Sequence, residues 1–209
     1  MSDLELGWKF AEDFPVETEP LATARLHSLE HGVEAVSPAV GSQLAVIAAA
    51  SNARQIVEIG TGLGVSGLWL LKGAPRATLT SIDTEVDYQH SARKSFQEAG
   101  ISPSRVRLIT GNALEVLPRM NDESYDIVFI DGDPHAVIEY VEHGLRLARV
   151  GGTVLVARAL WRGRVADPTS RDDTAQSIRA LLREIAGSPA VVSAISPAGD
   201  GLLQLTRLN

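Results

Sequence analysis

Four glycines lie within eight residues of the chain, between Gly60 and Gly67, directly after a short apolar run. Glycine is favoured where the chain turns sharply or where a ligand approaches the backbone closely, and it is unfavourable in regular elements. The preceding run 55–60 predicts a buried strand, and Val65-Ser66 predicts the start of a helix. A strand, turn and helix in this order point free amide groups at a ligand, beside the positive end of the helix dipole.

The chain after Ser51 alternates between short apolar runs and helical patterns. The runs predict strands at 55–60, 77–83, 105–110, 125–131 and 151–157. Strands that alternate with helices indicate a parallel sheet covered on both faces. After a helix near 174–185, strands at 191–195 and 202–208 flank the turn residues 197–201, which predicts a terminal antiparallel hairpin. We therefore predict an α/β fold with a seven-stranded, mostly parallel sheet.

The length of 209 residues fits one domain preceded by an N-terminal arm. The arm, residues 1–20, contains Trp8, Phe10 and Phe14 without a sustained period. It is either a disordered tail or a segment that folds over a pocket or a partner subunit. The domain, residues 21–209, begins with a helical pattern over 21–36 and a second helix from Pro38 to about residue 50.

Charge and composition exclude several classes of function. The net charge of -7 carries no basic stripe, which argues against a nucleic-acid partner. No apolar run reaches membrane-spanning length, and the first residues do not resemble a signal peptide, so we predict a cytoplasmic protein without a membrane partner. The absence of cysteine excludes disulfides and thiolate chemistry.

The glycine turn has two candidate ligands. Gly62–Gly67 satisfies the G-x-G-x-x-G letters of dinucleotide-binding proteins, and Asp83 ends the next strand. In that fingerprint the first glycine closes the strand itself; counted from Gly60, the third glycine position falls on Val65. Glu58 also places a negative charge before the turn, which disfavours a pyrophosphate and suits a sulfonium and ammonium ligand. The sequence therefore favours S-adenosylmethionine.

Two further strand ends contribute to this predicted site. Asp83 is placed to bind both ribose hydroxyls of an adenosine, or else is a solvated acid at a strand end. Asn112 and Ala113 follow the third predicted strand and would lie beside the adenine edge, unless Asn112 is an ordinary turn residue.

Several motifs together resemble class I methyltransferases of the catechol and caffeoyl-CoA O-methyltransferase type, in its bacterial branch. The resemblance runs from about residue 36 to residue 168 and is closest to actinobacterial members. Its motifs are Val36-Ser-Pro-Ala-Val-Gly41, Glu58-Ile-Gly-Thr-Gly-Leu-Gly-Val-Ser66, Gly67-Leu-Trp-Leu70, Phe129-Ile-Asp-Gly-Asp133 and Leu160-Trp-Arg-Gly-Arg-Val-Ala-Asp-Pro168.

The resemblance implies a Rossmann-like methyltransferase sandwich that commonly forms homodimers. It implies that Asp131 faces the substrate and that Asp133 lies close to the cofactor. Together with the turn and the strand ends, the predicted cofactor-binding set is Val36, Glu58, Gly60, Thr61, Gly64, Ser66, Asp83, Asn112, Ala113 and Asp133.

The sequence departs from this family at two chemical positions. The family usually binds a divalent cation through the aspartate that matches Asp131 and an Asp-Asn pair after the fifth strand. Here that pair is Ala157-Arg158, so two of three protein ligands are missing and we predict no metal site of the usual kind. The lysine that often follows the aspartate motif is replaced by Pro134.

These departures suggest a different source of positive charge. We hypothesise that Arg158 replaces the metal, pairs with Asp131 in the free enzyme and steadies a substrate oxyanion; the alternative is a purely structural ion pair. His135 is the nearest candidate base, although its position at a helix start favours a capping or surface histidine.

The predicted function is transfer of a methyl group from S-adenosylmethionine to a hydroxyl of a small aromatic acceptor, in a homodimer and without the usual metal. A different class of function stays open: a protein that binds S-adenosylmethionine without catalysis, as a sensor or a dimeric interaction module. A nicotinamide-dependent dehydrogenase is a distant third.

Overall fold

A computed structural model describes residues 2–209 and contains one seven-stranded sheet. The strands are β1 (Gln55–Ile59), β2 (Thr78–Asp83), β3 (Val106–Thr110), β4 (Tyr125–Ile130), β5 (Ala148–Ala157), β6 (Val191–Ser196) and β7 (Leu202–Arg207). Their order across the sheet is β3-β2-β1-β4-β5-β7-β6. The first five are parallel, whereas β7 runs antiparallel to both β5 and β6. The predicted Rossmann-like sheet with a terminal antiparallel hairpin is confirmed.

Helices cover both faces of the sheet. They are α1 (Asp3–Asp13), α2 (Glu19–Glu30), α3 (Pro38–Ala50), α4 (Val65–Gly73), α5 (Val86–Glu98), α6 (Ala113–Val116), α7 (Val137–Leu147) and α8 (Asp173–Gly187). Because side chains alternate along a strand, Ile56 packs into the core shared with α3, α4 and α5, and Val57 packs into the core shared with α7 and α8. Among residues 2–209, no helix is long and apolar enough to cross a membrane.

The N-terminal segment contains a helix where the sequence showed no sustained period. Ser2 accepts a hydrogen bond from the Glu5 backbone N–H, and the Glu5 carboxylate accepts one from the Ser2 N–H, which forms a capping box. The Ser-x-x-Glu spacing of that box is a sequence signal that the search for periodicity missed. The arm prediction also included Met1, which lies outside the described residues.

The helix predicted over 21–36 ends earlier in the structure. It ends at Glu30, and Gly32 adopts a positive φ of 68°, after which Val33 N–H donates to the Ser28 carbonyl oxygen at 2.8 Å. A left-handed glycine with this returning bond is a common helix termination. Residues 33–36 therefore form an irregular segment, called the strap below, instead of a last helical turn.

The sheet order reverses between β1 and β4, which places a crevice at the carboxyl ends of these strands. Gly60, directly after β1, has a φ of 92°, and a Cβ atom there would overlap the carbonyl oxygen of Asp131 at the end of β4. Only glycine allows the two strand ends to approach so closely. This close approach brings the glycine turn and Asp131 into one site.

Candidate functional site

A cavity of about 470 Å³ opens at the carboxyl ends of β1, β2, β3 and β4. It is the size of a site for a small cofactor. Eight of the ten residues predicted to bind the cofactor line it: Val36, Gly60, Thr61, Ser66, Asp83, Asn112, Ala113 and Asp133. The other two, Glu58 and Gly64, do not reach its wall.

Backbone geometry and Asp83 hold the glycine turn open towards this cavity. Gly60, Gly62 and Gly64 all have positive φ, at 92°, 48° and 93°. The Gly62 N–H donates to Asp83 Oδ2 at 2.9 Å, and the Glu85 N–H donates to Asp83 Oδ1 at 3.0 Å. Asp83 thus supports the turn while it lines the cavity. Gly64 contributes to the turn through its backbone conformation, because it is the N-cap of α4 and adopts the left-handed region.

Glu58 lies beneath the turn and is fully buried, with none of its surface exposed. The Ser66 hydroxyl donates to its Oε1 and the Ser81 hydroxyl donates to its Oε2, both at 2.6 Å. Burial raises the pKa of Glu58 to about 7, although both serine hydroxyls lower it. Direct contact between Glu58 and a cofactor stays a prediction; the structure places its carboxylate one layer behind the cavity wall.

The strap lines part of the same cavity, and a Cβ atom at Gly62 of the turn would lie 3.5 Å from Val33 Cγ1. Arg25 Nη1 donates to the Val36 carbonyl oxygen at 2.6 Å, and Arg158 Nη2 donates to the Glu34 carbonyl oxygen at 2.6 Å. Arg25 is itself paired with Glu17. Sequence reasoning found only Val36 in this segment, because nothing in its composition indicates that two distant arginines hold it in place.

Asp131 and Arg158 meet at the end of the cavity nearest β5. Arg158 Nη1 lies 3.2 Å from Asp131 Oδ1, so the predicted pairing is present. Arg158 has a φ of 58°, a conformation that L residues adopt at a cost and that often marks functional loops. Burial raises the pKa of Asp131 to about 7, Arg158 lowers it and Glu34 raises it.

A second, smaller cavity of about 110 Å³ adjoins this pair. Asp131 and Arg158 line both cavities. The rest of the smaller wall is largely apolar and includes Val137, Val156 and Trp161. An acceptor molecule with an apolar ring therefore has space beside the larger cavity, and the groups that line both cavities are the Arg158 guanidinium and the carboxyl groups of Glu34, Asp131 and Asp133.

Asn112 and His135, two further predicted residues, differ in their position relative to the cavities. Asn112 lines the larger cavity, and its Oδ1 accepts the Leu114 N–H at 2.9 Å, which caps α6. His135 is exposed and lines neither cavity; its backbone N–H donates to Asp133 Oδ1 at 3.0 Å. The structure thus gives His135 no contact that supports a role as a base. Cavity residues without a signal in the sequence include Ser28, Val33, Glu34, Tyr88, Leu114 and Tyr140.

Comparison with known proteins identifies similar molecules along nearly the whole chain. A model of the O-methyltransferase family matches residues 18–208. A Mycobacterium marinum protein that carries the name O-methyltransferase is 45% identical over 207 residues, which are 99% of this chain and 92% of the relative. A crystal structure from Corynebacterium glutamicum aligns with a TM-score of 0.91 and 32% identity, over 100% of this chain and 98% of that one. The O-methyltransferase TomG of Streptomyces achromogenes, solved with S-adenosylmethionine, aligns over 100% of both chains with a TM-score of 0.86 and 29% identity.

Proposed function

The chain belongs to the O-methyltransferase family and is an S-adenosylmethionine-dependent methyltransferase, and we propose that its acceptor is the hydroxyl of a small aromatic molecule. The observation that carries this proposal is the junction of the two cavities at Asp131 and Arg158. The larger cavity accommodates the methyl donor, and the smaller, apolar cavity accommodates the ring of the acceptor.

We propose that the ten predicted cofactor-site residues divide into wall and support. Asp83 and the turn residues Gly60, Thr61 and Gly62 line the donor site, with Asn112 and Ala113 at the adenine end and Asp133 beside Asp131. Glu58 and Gly64 support the turn from behind. The buried carboxylates near the turn complement the positive charge of the donor.

The reaction requires that the acceptor hydroxyl be oriented towards the methyl group of the donor and that the hydroxyl lose its proton. The acceptor oxygen attacks the methyl carbon while the carbon–sulfur bond breaks. The electron pair of that bond stays on sulfur, which leaves as a neutral thioether. A phenol titrates near pH ~10 and needs help at neutral pH. In our proposal, Arg158 stabilises the developing oxyanion and Asp131, whose pKa burial raises to about 7, accepts the proton.

The residues present do not fit the divalent cation that the family usually binds. Only Asp131 supplies an oxygen ligand, because Ala157 and Arg158 occupy the positions of the other two. The guanidinium of Arg158, 3.2 Å from Asp131 Oδ1, would repel a cation at that carboxylate. Among residues 2–209, no group of three or more histidine or acidic side chains is arranged to hold a metal.

We expect methyl transfer to be unaffected by a chelator. Initial rates are measured against a panel of phenols after incubation with EDTA, and again with added magnesium. Rates should agree within about twofold in all conditions, because the fixed positive charge is covalently part of the chain. Activity that disappears with EDTA and returns with magnesium would contradict the role of Arg158.

The second candidate function is binding of S-adenosylmethionine without catalysis. The missing metal ligands and the Pro134 substitution favour it, because the cofactor site does not depend on either. The same panel separates the two functions: micromolar donor binding by calorimetry without any methylated product across all acceptors would favour the binding protein.

We also propose a homodimer in which α1 takes part, and a cytoplasmic location stays a prediction. Trp8, Phe10 and Phe14 are 50%, 72% and 74% exposed, which is unusual for three aromatic residues in one helical segment. Light scattering should give twice the chain mass of 22.3 kDa. Phe10→Ser should shift the mass towards the monomer, whereas Lys9→Ala on the same helix should not; a monomeric wild type would contradict the proposal.

A further inference from the structure

Five polar side chains form a hydrogen-bonded chain behind the glycine turn. They are Glu58, Thr61, Ser66, Ser81 and Gln89, each at most 6% exposed. Gln89 Nε2 lies 3.0 Å from Thr61 Oγ1, Thr61 Oγ1 lies 2.6 Å from Ser81 Oγ, and Ser81 Oγ lies 2.6 Å from Glu58 Oε2. The chain therefore connects α5, the turn, β2, β1 and α4, and the Glu58 carboxylate beneath the turn accepts from both Ser81 and Ser66.

The amide of Gln89 has only one suitable orientation. Its Nε2 donates to the Ile109 carbonyl oxygen at 3.2 Å as well as to Thr61. A flipped amide would place Oε1 against that carbonyl oxygen, and two acceptors repel each other. Among the described residues, Gln89 Oε1 is buried without a hydrogen-bond partner, so the side chain is held by its donor end.

This orientation sets the direction of every proton in the chain. Because Thr61 Oγ1 accepts from Gln89, its own proton is free to go to Ser81 Oγ. Ser81 then donates its proton to Glu58 Oε2, which must be an unprotonated acceptor. If Glu58 carried a proton on Oε2, Ser81 would accept it and donate to Thr61 Oγ1. The Thr61 hydroxyl, which also accepts from Gln89, would then have no acceptor for its own proton among its hydrogen-bond partners in the described residues. A proton on the carboxyl is compatible only with Oε1, on the side of Ser66.

We propose that Gln89 is a positioning residue for the cofactor turn, which orients this hydrogen-bonded chain so that Ser81 donates to Glu58 and favours its ionised form. The inference goes beyond the proposed acceptor chemistry, because it concerns binding of the methyl donor alone. An ionised Glu58 holds Ser66 at the start of α4 and keeps a negative charge beneath a site for a cationic ligand.

The surroundings of Glu58 make this support necessary. The charged groups that act on it are Asp131 at the end of β4 and Asp83 at the end of β2, and both raise its pKa. Burial raises the pKa further, to about 7, and only the hydrogen bonds from Ser66 and Ser81 lower it. Loss of a donor in the chain should therefore move the carboxyl towards its neutral form at physiological pH.

The test measures the affinity for S-adenosylmethionine between pH 5 and pH 8.5 in wild type and Gln89→Met. Affinity should fall as the pH drops through the midpoint of Glu58 ionisation, the pH at which half of the carboxyl groups are ionised. Gln89→Met should raise that midpoint by about one pH unit. The affinity at pH 7 should fall about fivefold, because the ionised fraction falls by that factor. Titration of the ligand amino group affects both proteins equally. Gln176→Met, an exposed glutamine on α8, is the matched control and should leave the profile unchanged.

A double mutant distinguishes an effect transmitted through the hydrogen-bonded chain from local damage to the packing around Gln89. Ser81→Ala removes the donor to Glu58 Oε2 directly and should raise the midpoint at least as far as Gln89→Met. Because Gln89 acts through Ser81, adding Gln89→Met to Ser81→Ala should cause no further shift. Midpoints that are unchanged in Gln89→Met, or that add in the double mutant, would overturn the proposal. Gln89→Leu carries the same expectation should the methionine variant not fold; donor binding is measured without an acceptor, so the result is independent of the proposed reaction.

Discussion

Gly60→Ala is expected to reduce the affinity for S-adenosylmethionine by at least about 100-fold, which is about 2.7 kcal/mol. The φ of 92° strains any L residue, and the added Cβ would overlap the carbonyl oxygen of Asp131. The turn and the end of β4 must then separate, which displaces the turn residues that line the donor cavity. Isothermal titration calorimetry measures the loss, with thermal unfolding as a check that the sheet still forms.

Gly32→Ala provides the matched control for this substitution. Gly32 also has a positive φ, at 68°, but a Cβ there would meet nothing within 4 Å. The control carries the backbone strain of about 1 kcal/mol without the collision, so its donor affinity should stay within about threefold of wild type. Equal effects of the two substitutions would show that close approach of β1 and β4 is not what shapes the site.

Arg158→Ala is expected to lower kcat by about 100-fold and to raise KM for S-adenosylmethionine by a smaller factor, because Arg158 also donates to the Glu34 carbonyl oxygen of the strap. The guanidinium lies at the junction of the two cavities, where the acceptor oxygen develops negative charge in our mechanism. Loss of a charge that acts chiefly in the transition state reduces kcat more than ground-state binding. Steady-state kinetics with the best phenol of the panel measure both constants.

Two further substitutions define the role of this arginine. Arg158→Asn keeps a polar side chain without the charge and should lose as much activity as Arg158→Ala. Arg164→Ala, in the same loop, breaks an exposed pair with Asp172 and should retain nearly full activity. A kcat of Arg158→Ala close to wild type, with lowered thermal stability, would instead assign Arg158 to a structural ion pair.

The fold was predictable because its signals are local. All seven strands appear within three residues of their predicted limits, and α3 spans Pro38–Ala50 with Ser37 as its cap. Short apolar runs, caps and turn glycines act over a few residues, so they are legible along the chain. The errors are local as well: the capping box of Ser2 and Glu5 was overlooked, and the termination at Gly32 was read as continuing helix.

The site was predictable only in part, because most of its contacts join distant residues. Arg158 reaches the strap across 124 positions, and the strap itself has no motif before Val36. The pairing of Arg158 with Asp131 followed from two strand ends that a parallel sheet brings to one edge. The hydrogen-bonded chain from Gln89 to Glu58 had no signal, since a glutamine in an amphipathic helix is ordinary until its partner is known.

The sequence by itself determined the sheet, the glycine turn and the choice of S-adenosylmethionine over a dinucleotide. These depend on residue types within one strand, turn and helix, where backbone sterics and charge act at short range. The tertiary structure alone decided that Glu58 supports the turn from behind the wall and that His135 stands apart from both cavities. Burial and hydrogen-bond partners depend on elements packed from far along the chain, and these fix which carboxyl groups meet the ligand.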